Sequence, residues 1–264
     1  MKYSSDRLFR ISALSILFAL FFYFIAILFS GITVLKFSRF IGLLLSAKVL
    51  YAVKLSVVTA TISTLISIVI AIPSAYALSR FKVPFKGVID VILDVPIIVS
   101  PIALGAILLI FFNTSAGKFI ERFTFPFVFS IPGIVLAQFT VICALAVRLL
   151  KSTFDDIDER YENVSRTLGL SGTESFFKVV IPLAKRGLIA SAILTWARAV
   201  GEFGATVTLA GAMPMKTETL PVAIFLSFAN ADIERAMAVV FILLSIALLM
   251  LLAIRKITGE RILW

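Results

Sequence analysis

Histidine is absent from the 264 residues, and cysteine occurs once, at Cys143. Without imidazoles and a second thiol the chain can build neither a conventional zinc centre nor a disulfide framework. Cys143, inside an apolar stretch, reads as a small buried hydrophobe. No GxxxxGK[ST] segment occurs, so no phosphate-cradling loop of that type is available for ATP hydrolysis. No nucleophile–base constellation is visible either, which argues against an enzyme. Charge is also scarce: Asp, Glu, Lys and Arg make up 15% of the chain against 61% hydrophobic residues, and mean hydropathy is +1.10. Soluble domains are nearer to about half apolar.

What remains is long apolar runs. Residues 11–32, ISALSILFALFFYFIAILFSGI, carry no charge, over a length that crosses ~30 Å of hydrocarbon as a helix. The run is too long for a signal-peptide core, and no small-residue cleavage site precedes the next polar segment. About six helical spans are expected, near 11–32, 51–78, 89–112, 131–150, 186–211 and 235–255. The chain is thus expected to be an all-α integral membrane protein, one domain over 1–264. Its net charge of +10 punctuates the spans instead of forming a nucleic-acid-binding patch. Lys and Arg gather at the N-terminus, in 79–88, in 148–186 and in the tail out to Arg261. Fewer lie in the other connections, Lys36 among them. That bias predicts a multi-pass cell-membrane protein with both termini in the cytoplasm.

Proline interrupts the second span at Pro73 and the third at Pro96 and Pro101. Each removes a backbone donor and favours a kink. Membrane helices tolerate proline, and broken helices also line transport paths; both readings stay open. Polar stripes follow the helical period. Ser56, Thr59, Ser63 and Ser67 share one face of the second span; Ser191, Thr195, Arg198, Glu202 and Thr206 share one face of the fifth. Ala197, Gly201 and Ala205 form a small-xxx-small ridge beside the latter. Arg198 and Glu202, within TWARAVGEFGA, have the spacing of an i,i+4 ion pair. Asp94 is a second candidate partner for Arg198. Such a face turns from lipid, toward a helix or a water-filled path. The candidate pathway, gate or packing residues are therefore Asp94, Pro96, Pro101, Thr195, Arg198, Gly201, Glu202, Gly204 and Thr206.

The longest connection, 151–186, has its own grammar. Asp155, Asp156, Asp158 and Glu159 suit a helix N-terminus. Ile157, Tyr161, Val164 and Leu168 then form one apolar stripe. Gly169 is placed to end that helix in a left-handed conformation. Ser171 and Glu174 have capping-box spacing for a second short helix, packed by Phe176, Phe177 and Val180 and stopped or bent by Pro182. The segment is either an interfacial hairpin on its own bundle or a knob for a partner's groove.

Residues 162–183, ENVSRTLGLSGTESFFKVVIPL, resemble the EAA loop of ABC-importer permeases. Arg166, Thr167, Leu168, Gly169 and Pro182 match the pattern. Val164 and Ser165 replace its two alanines, Asn163 a frequent acidic residue, and Ile181 a leucine. Residues 196–211, WARAVGEFGATVTLAG, and 94–109, DVPIIVSPIALGAILL, resemble the oxyanion branch of these permeases. KTETLP (216–221) looks more like its molybdate and tungstate members than its sulfate ones. The resemblance implies a type I ABC-importer permease fold with a cytoplasmic coupling loop at 151–185. Residues 155–181 would dock on a separate ATPase, with Tyr161, Glu162, Val164, Arg166, Thr167, Leu168, Gly169 and Pro182 as coupling residues. It further implies a second copy of the chain, two ATP-binding subunits and an extracytoplasmic oxyanion-binding protein. ATP and Mg would sit on the partner, and no cofactor on this chain. Rival readings are a sulfate/thiosulfate permease and an ion-gradient-driven secondary transporter using Glu202 and Asp94.

Overall fold

The computed structural model describes residues 2–32 and 37–258; Lys36 and Arg261 lie outside them. The described residues form helices and no strand. In chain order these are α1 (Lys2–Ile32), α2 (Phe37–Leu44), α3 (Ala47–Arg80), α4 (Lys86–Ile98), α5 (Pro101–Asn113), α6 (Ser115–Phe123), α7 (Ile131–Asp155), α8 (Arg160–Thr167) and α9 (Gly172–Ser175). After a π-helical turn, Phe176–Val180, come α10 (Ile181–Val200), α11 (Gly204–Ala210), α12 (Leu220–Ala229) and α13 (Ile233–Thr258).

Among the described residues, four continuous stretches are long and apolar enough to span a bilayer: Phe9–Ser30, Ala47–Arg80, Ile131–Asp155 and Ile233–Ile257. The expected third span is a pair, α4 and α5, bent by 107°. The break falls at Val99 and Ser100, between the two flagged prolines. Pro96 lies in the last turn of α4, while Ser100 caps α5 by accepting from Ala103 N at 3.3 Å, with Pro101 in its first turn. Pro101 therefore starts a helix instead of kinking one. Pro73 lies inside α3 without interrupting it. The expected fifth span is also divided, because α10 ends at Val200 and α11 begins at Gly204. The Ala197–Gly201–Ala205 ridge is thereby split between two helices.

Among the described residues the apolar interior has two large cores, besides a small cluster of Leu55, Ile134 and Ala210. One core gathers Val49, Ala52 and Ala60 of α3, Ala137 and Ile142 of α7, Leu104 and Phe112 of α5, and Ala199, Ala205, Leu209 and Leu220. The other gathers Ala71, Ala75, Tyr76 and Leu78 of α3, Val147, Leu150 and Phe154 of α7, and Val180 and Ala184 beside the hairpin. Among the described residues, α3, α7 and α10 are the helices that contribute buried residues to both. At the level between lie Ser63 and Ser67 of α3 and Ser191 and Thr195 of α10, all buried. The serine stripe of the second span is thus a helix-packing face. Small hydroxyl side chains let backbones approach where no bulky apolar residue fills the gap.

Candidate functional site: a broken helix and an exposed hairpin

The backbone turns away from helical geometry at Gly201, Glu202 and Phe203. Glu202 organises this turn from within the protein, being 1% exposed. One carboxylate oxygen accepts from Arg198 Nη1 at 2.7 Å; the other accepts from Ala205 N at 3.0 Å, satisfying a free donor at the start of α11. The expected Arg198–Glu202 pair therefore exists, and it also caps a helix. Arg198 keeps 39% of its side chain exposed. Asp94 does not reach it. Arg148 of α7 donates to Asp94 at 2.8 Å and to Asp90 at 2.8 Å, clamping α4 to α7. Spacing along one helix could not reveal that long-range partner.

Gln138 of α7 holds the end of α10, donating from Nε2 to Ala199 O at 3.1 Å, while Ser63 Oγ lies 3.1 Å from its Oε1. Sequence reading missed Gln138; a lone amide within the apolar run 131–147 was the available signal. Gly204 and Pro101 bring the two half-helices together. A Cβ on Gly204 would lie 2.9 Å from Ile102 N, and one on Gly105 would lie 2.8 Å from the Cα and carbonyl oxygen of Ala205. The two breaks are thus neighbours, and Thr195 and Thr206, on either side of the second, are buried.

At the other end of the molecule α8 shows two faces. Tyr161 and Val164 are each 57% exposed and Leu168 is 80% exposed. Arg166 and Thr167 are exposed as well, whereas Glu162 and Ser165 are buried. Glu162, expected on the docking surface, instead faces inward, 2.6 Å from Arg80 Nε. Ile157 precedes α8 and packs on the hairpin core, so the outward stripe begins at Tyr161. Gly169 has φ +94 and ends α8 as expected. Ser171 and Glu174 form the capping box, and Lys178 lies 3.0 Å from Glu174. The Ser171 N–H, followed by Lys178, pulls the Glu174 carboxyl down to about 2. A depressed carboxyl supports the fold above its ordinary range and loses that support only as pH falls through the lowered value, so the cap persists through mildly acidic conditions. Phe176 and Val180 pack inward, but Phe177 is 63% exposed. Pro182 does not stop the second helix. It sits in the first turn of α10, where its missing N–H is tolerated after the π turn.

The family described as binding-protein-dependent transport system inner membrane component matches residues 63–258. A probable molybdenum ABC transporter permease protein of Haloferax volcanii is 37% identical over 199 residues, 75% of this chain and 72% of its own length. The sulfate transport system permease protein CysW of Synechocystis is 30% identical over 204 residues, covering 76% of this chain and 74% of its own. In fold, the chain is similar to one in the crystal structure of a bacterial alginate ABC transporter in complex with alginate pentasaccharide-bound periplasmic protein. That likeness has a TM-score of 0.72 over 92% of each chain, at 14% identity.

Proposed function

The chain belongs to the binding-protein-dependent transport system inner membrane components, the permease subunits of ABC importers, and from that premise we propose that it carries a tetrahedral oxyanion into the cytoplasm, molybdate or tungstate ahead of sulfate. The observation that carries the reading is the two-faced α8. Its apolar residues Tyr161, Val164 and Leu168 stay outside while Glu162 holds it to α3 and Ser165 holds it to α9. An apolar stripe fixed outward in this way suits the groove of a separate ATPase subunit. Both termini are then cytoplasmic, two ATPase subunits bind two copies of the chain, and a binding protein delivers the anion from outside.

The two helix breaks support a location for the path. Irregular backbone at membrane depth is tolerated against protein or water, not lipid. Ser100 and Gly201 are both exposed in the single chain, so that side faces a second copy or the path between copies. Arg198 borders it already neutralised by Glu202, which suits transit better than tight capture. The secondary-transporter reading is disfavoured by the same geometry. Its two proposed ion carriers are each engaged in a structural ion pair, Glu202 with Arg198 and Asp94 with Arg148, and Glu202 is further occupied in capping α11.

Reconstitution with the cognate ATPase and binding protein tests the cargo. Molybdate and tungstate are expected to compete with each other for ATP-dependent uptake and to outcompete sulfate. Uptake that follows an ion gradient without the ATPase would refute the proposal; preference for sulfate would move the chain to the sulfate branch. Gly169→Leu tests the docking hairpin. A Cβ there meets nothing within 4 Å, so any harm comes from the backbone, where a side chain at such a φ costs about 1–3 kcal/mol. The expected result is normal membrane insertion with ATPase binding weakened about tenfold, the equivalent of ~1.4 kcal/mol. Copurification of the ATPase at wild-type level would exclude a role for this turn.

A further inference from the structure

Arg80 closes α3 with every guanidinium nitrogen engaged. Its Nε donates to Glu162 at 2.6 Å, Nη1 to Ser79 at 3.0 Å, and Nη2 to the carbonyls of Phe154 at 2.9 Å and Ile157 at 2.6 Å. The second carboxylate oxygen of Glu162 accepts from the Tyr76 hydroxyl at 2.6 Å. The Arg80 and Glu162 side chains are 8% and 6% exposed, and the Tyr76 ring is flanked by Phe81, Phe154 and Phe176. The ends of α3 and α7 and the inner face of α8 therefore form one body. A buried charge pair with its lone pairs and protons satisfied holds its geometry, because losing one partner strands the other.

The same helix is fastened again farther along. Ser63 Oγ lies 3.0 Å from the Val135 carbonyl and 3.1 Å from Gln138 Oε1, and Gln138 in turn holds Ala199 O at 3.1 Å, next to the break. Ser63 and Arg80 are separated by roughly 25 Å of helix at about 1.5 Å per residue, and Pro73 does not interrupt it. The outward stripe of α8 takes no part in either fastening.

We propose that the latch formed by Tyr76, Arg80 and Glu162 makes α3 move with the docking hairpin, delivering the hairpin's displacement through Ser63 and Gln138 to the helix break at 201–203. This rests on the permease reading above. Docking and transmission are then separate tasks: Leu168 and its neighbours engage the ATPase, and Arg80 and Glu162 act as positioning residues that convert its movement into a change at the break.

The measurement uses the chain reconstituted in vesicles with its ATPase and binding protein, recording ATP hydrolysis, oxyanion uptake and the ATPase retained. Arg80→Met and Glu162→Gln are expected to keep the ATPase bound but to lower uptake per ATP by about tenfold, since each strands a buried partner. Tyr76→Phe keeps the ring packing and is expected to lower the same ratio by about two- to threefold, the effect of one hydrogen bond. Arg80→Lys should recover part of the loss, and the Arg80→Met, Glu162→Gln double variant should fall no further than the worse single one. An unchanged ratio in these variants overturns the proposal. So does a parallel fall in uptake, hydrolysis and bound ATPase, which would mean that the latch merely keeps the hairpin folded. If Arg80→Met fails to insert, Tyr76→Phe reads the ratio with the charges intact. A wild-type chain that imports no oxyanion with ATP defeats the permease reading, and the latch with it; an importing wild type with unaltered variants defeats the latch alone.

Discussion

Arg235→Met is expected to lower the unfolding free energy by about 3–5 kcal/mol, because it leaves a buried carboxylate without its cation. Glu218 is 1% exposed, and its Oε1 lies 2.6 Å from Arg235 Nη2. Its other oxygen accepts from Met215 N at 3.1 Å. The pair thus ties the segment before α12 to the start of α13, where little water reaches. Glu218→Leu should also destabilise, but less, since Arg235 is 16% exposed and retains some access to solvent. The double variant Arg235→Met, Glu218→Leu should recover most of the loss, because apolar residues of similar volume replace a buried ion pair at little cost. Thermal unfolding in detergent micelles measures all three. A loss below about 1 kcal/mol for Arg235→Met would place the pair among solvent-screened ones.

Gly105→Leu is expected to abolish transport and to destabilise by the upper part of about 1–3 kcal/mol or more, the usual range for overpacking. The obstacle is backbone: a Cβ would lie 2.8 Å from both the Cα and the carbonyl oxygen of Ala205, and 2.9 Å from Thr208 Cβ. Backbone cannot rotate aside as a side chain can, so α5 and α11 must separate and the two breaks lose their alignment. Gly87→Leu is the control, since a Cβ there meets nothing within 4 Å. Uptake and melting temperature near wild type for Gly105→Leu would show that these half-helices do not touch in the working protein.

Local features were legible in the sequence because their physics is local. The Arg198–Glu202 spacing, the Ser171–Glu174 capping box and the left-handed position of Gly169 each involve residues within one turn, and the structure contains all three. The prolines gave the neighbourhood of the third-span break but not its place, because Ser100 supplies the cap that starts a new helix at Pro101. The fifth-span break was hidden. Gly201 fits a close-packing ridge with Ala197 and Ala205 as well as a break, and Glu202's role as a cap depends on how the chain bends. The partners of Asp94 and Glu162 were out of reach for another reason. Arg148 and Arg80 lie on other helices, and hydrophobic periodicity fixes a residue's face without saying who stands opposite. The 151–186 hairpin stood out as a segment but was hard to assign residue by residue, since α8 turns Glu162 and Ser165 inward and Tyr161, Val164 and Leu168 outward.

The division of the apolar interior into two cores bears on how the protein comes apart. Cooperative unfolding depends on contiguous packing, and here contiguity is thinned at the level of Ser63, Ser67, Ser191 and Thr195. Denaturation then acts on two units threaded by the same helices, and protection is set unit by unit. Amides near Ala52 and Ala75 belong to one helix, α3, but to different cores. Hydrogen exchange along that single helix would therefore report two opening free energies, one for the end that carries the broken helices and one for the end that holds the hairpin.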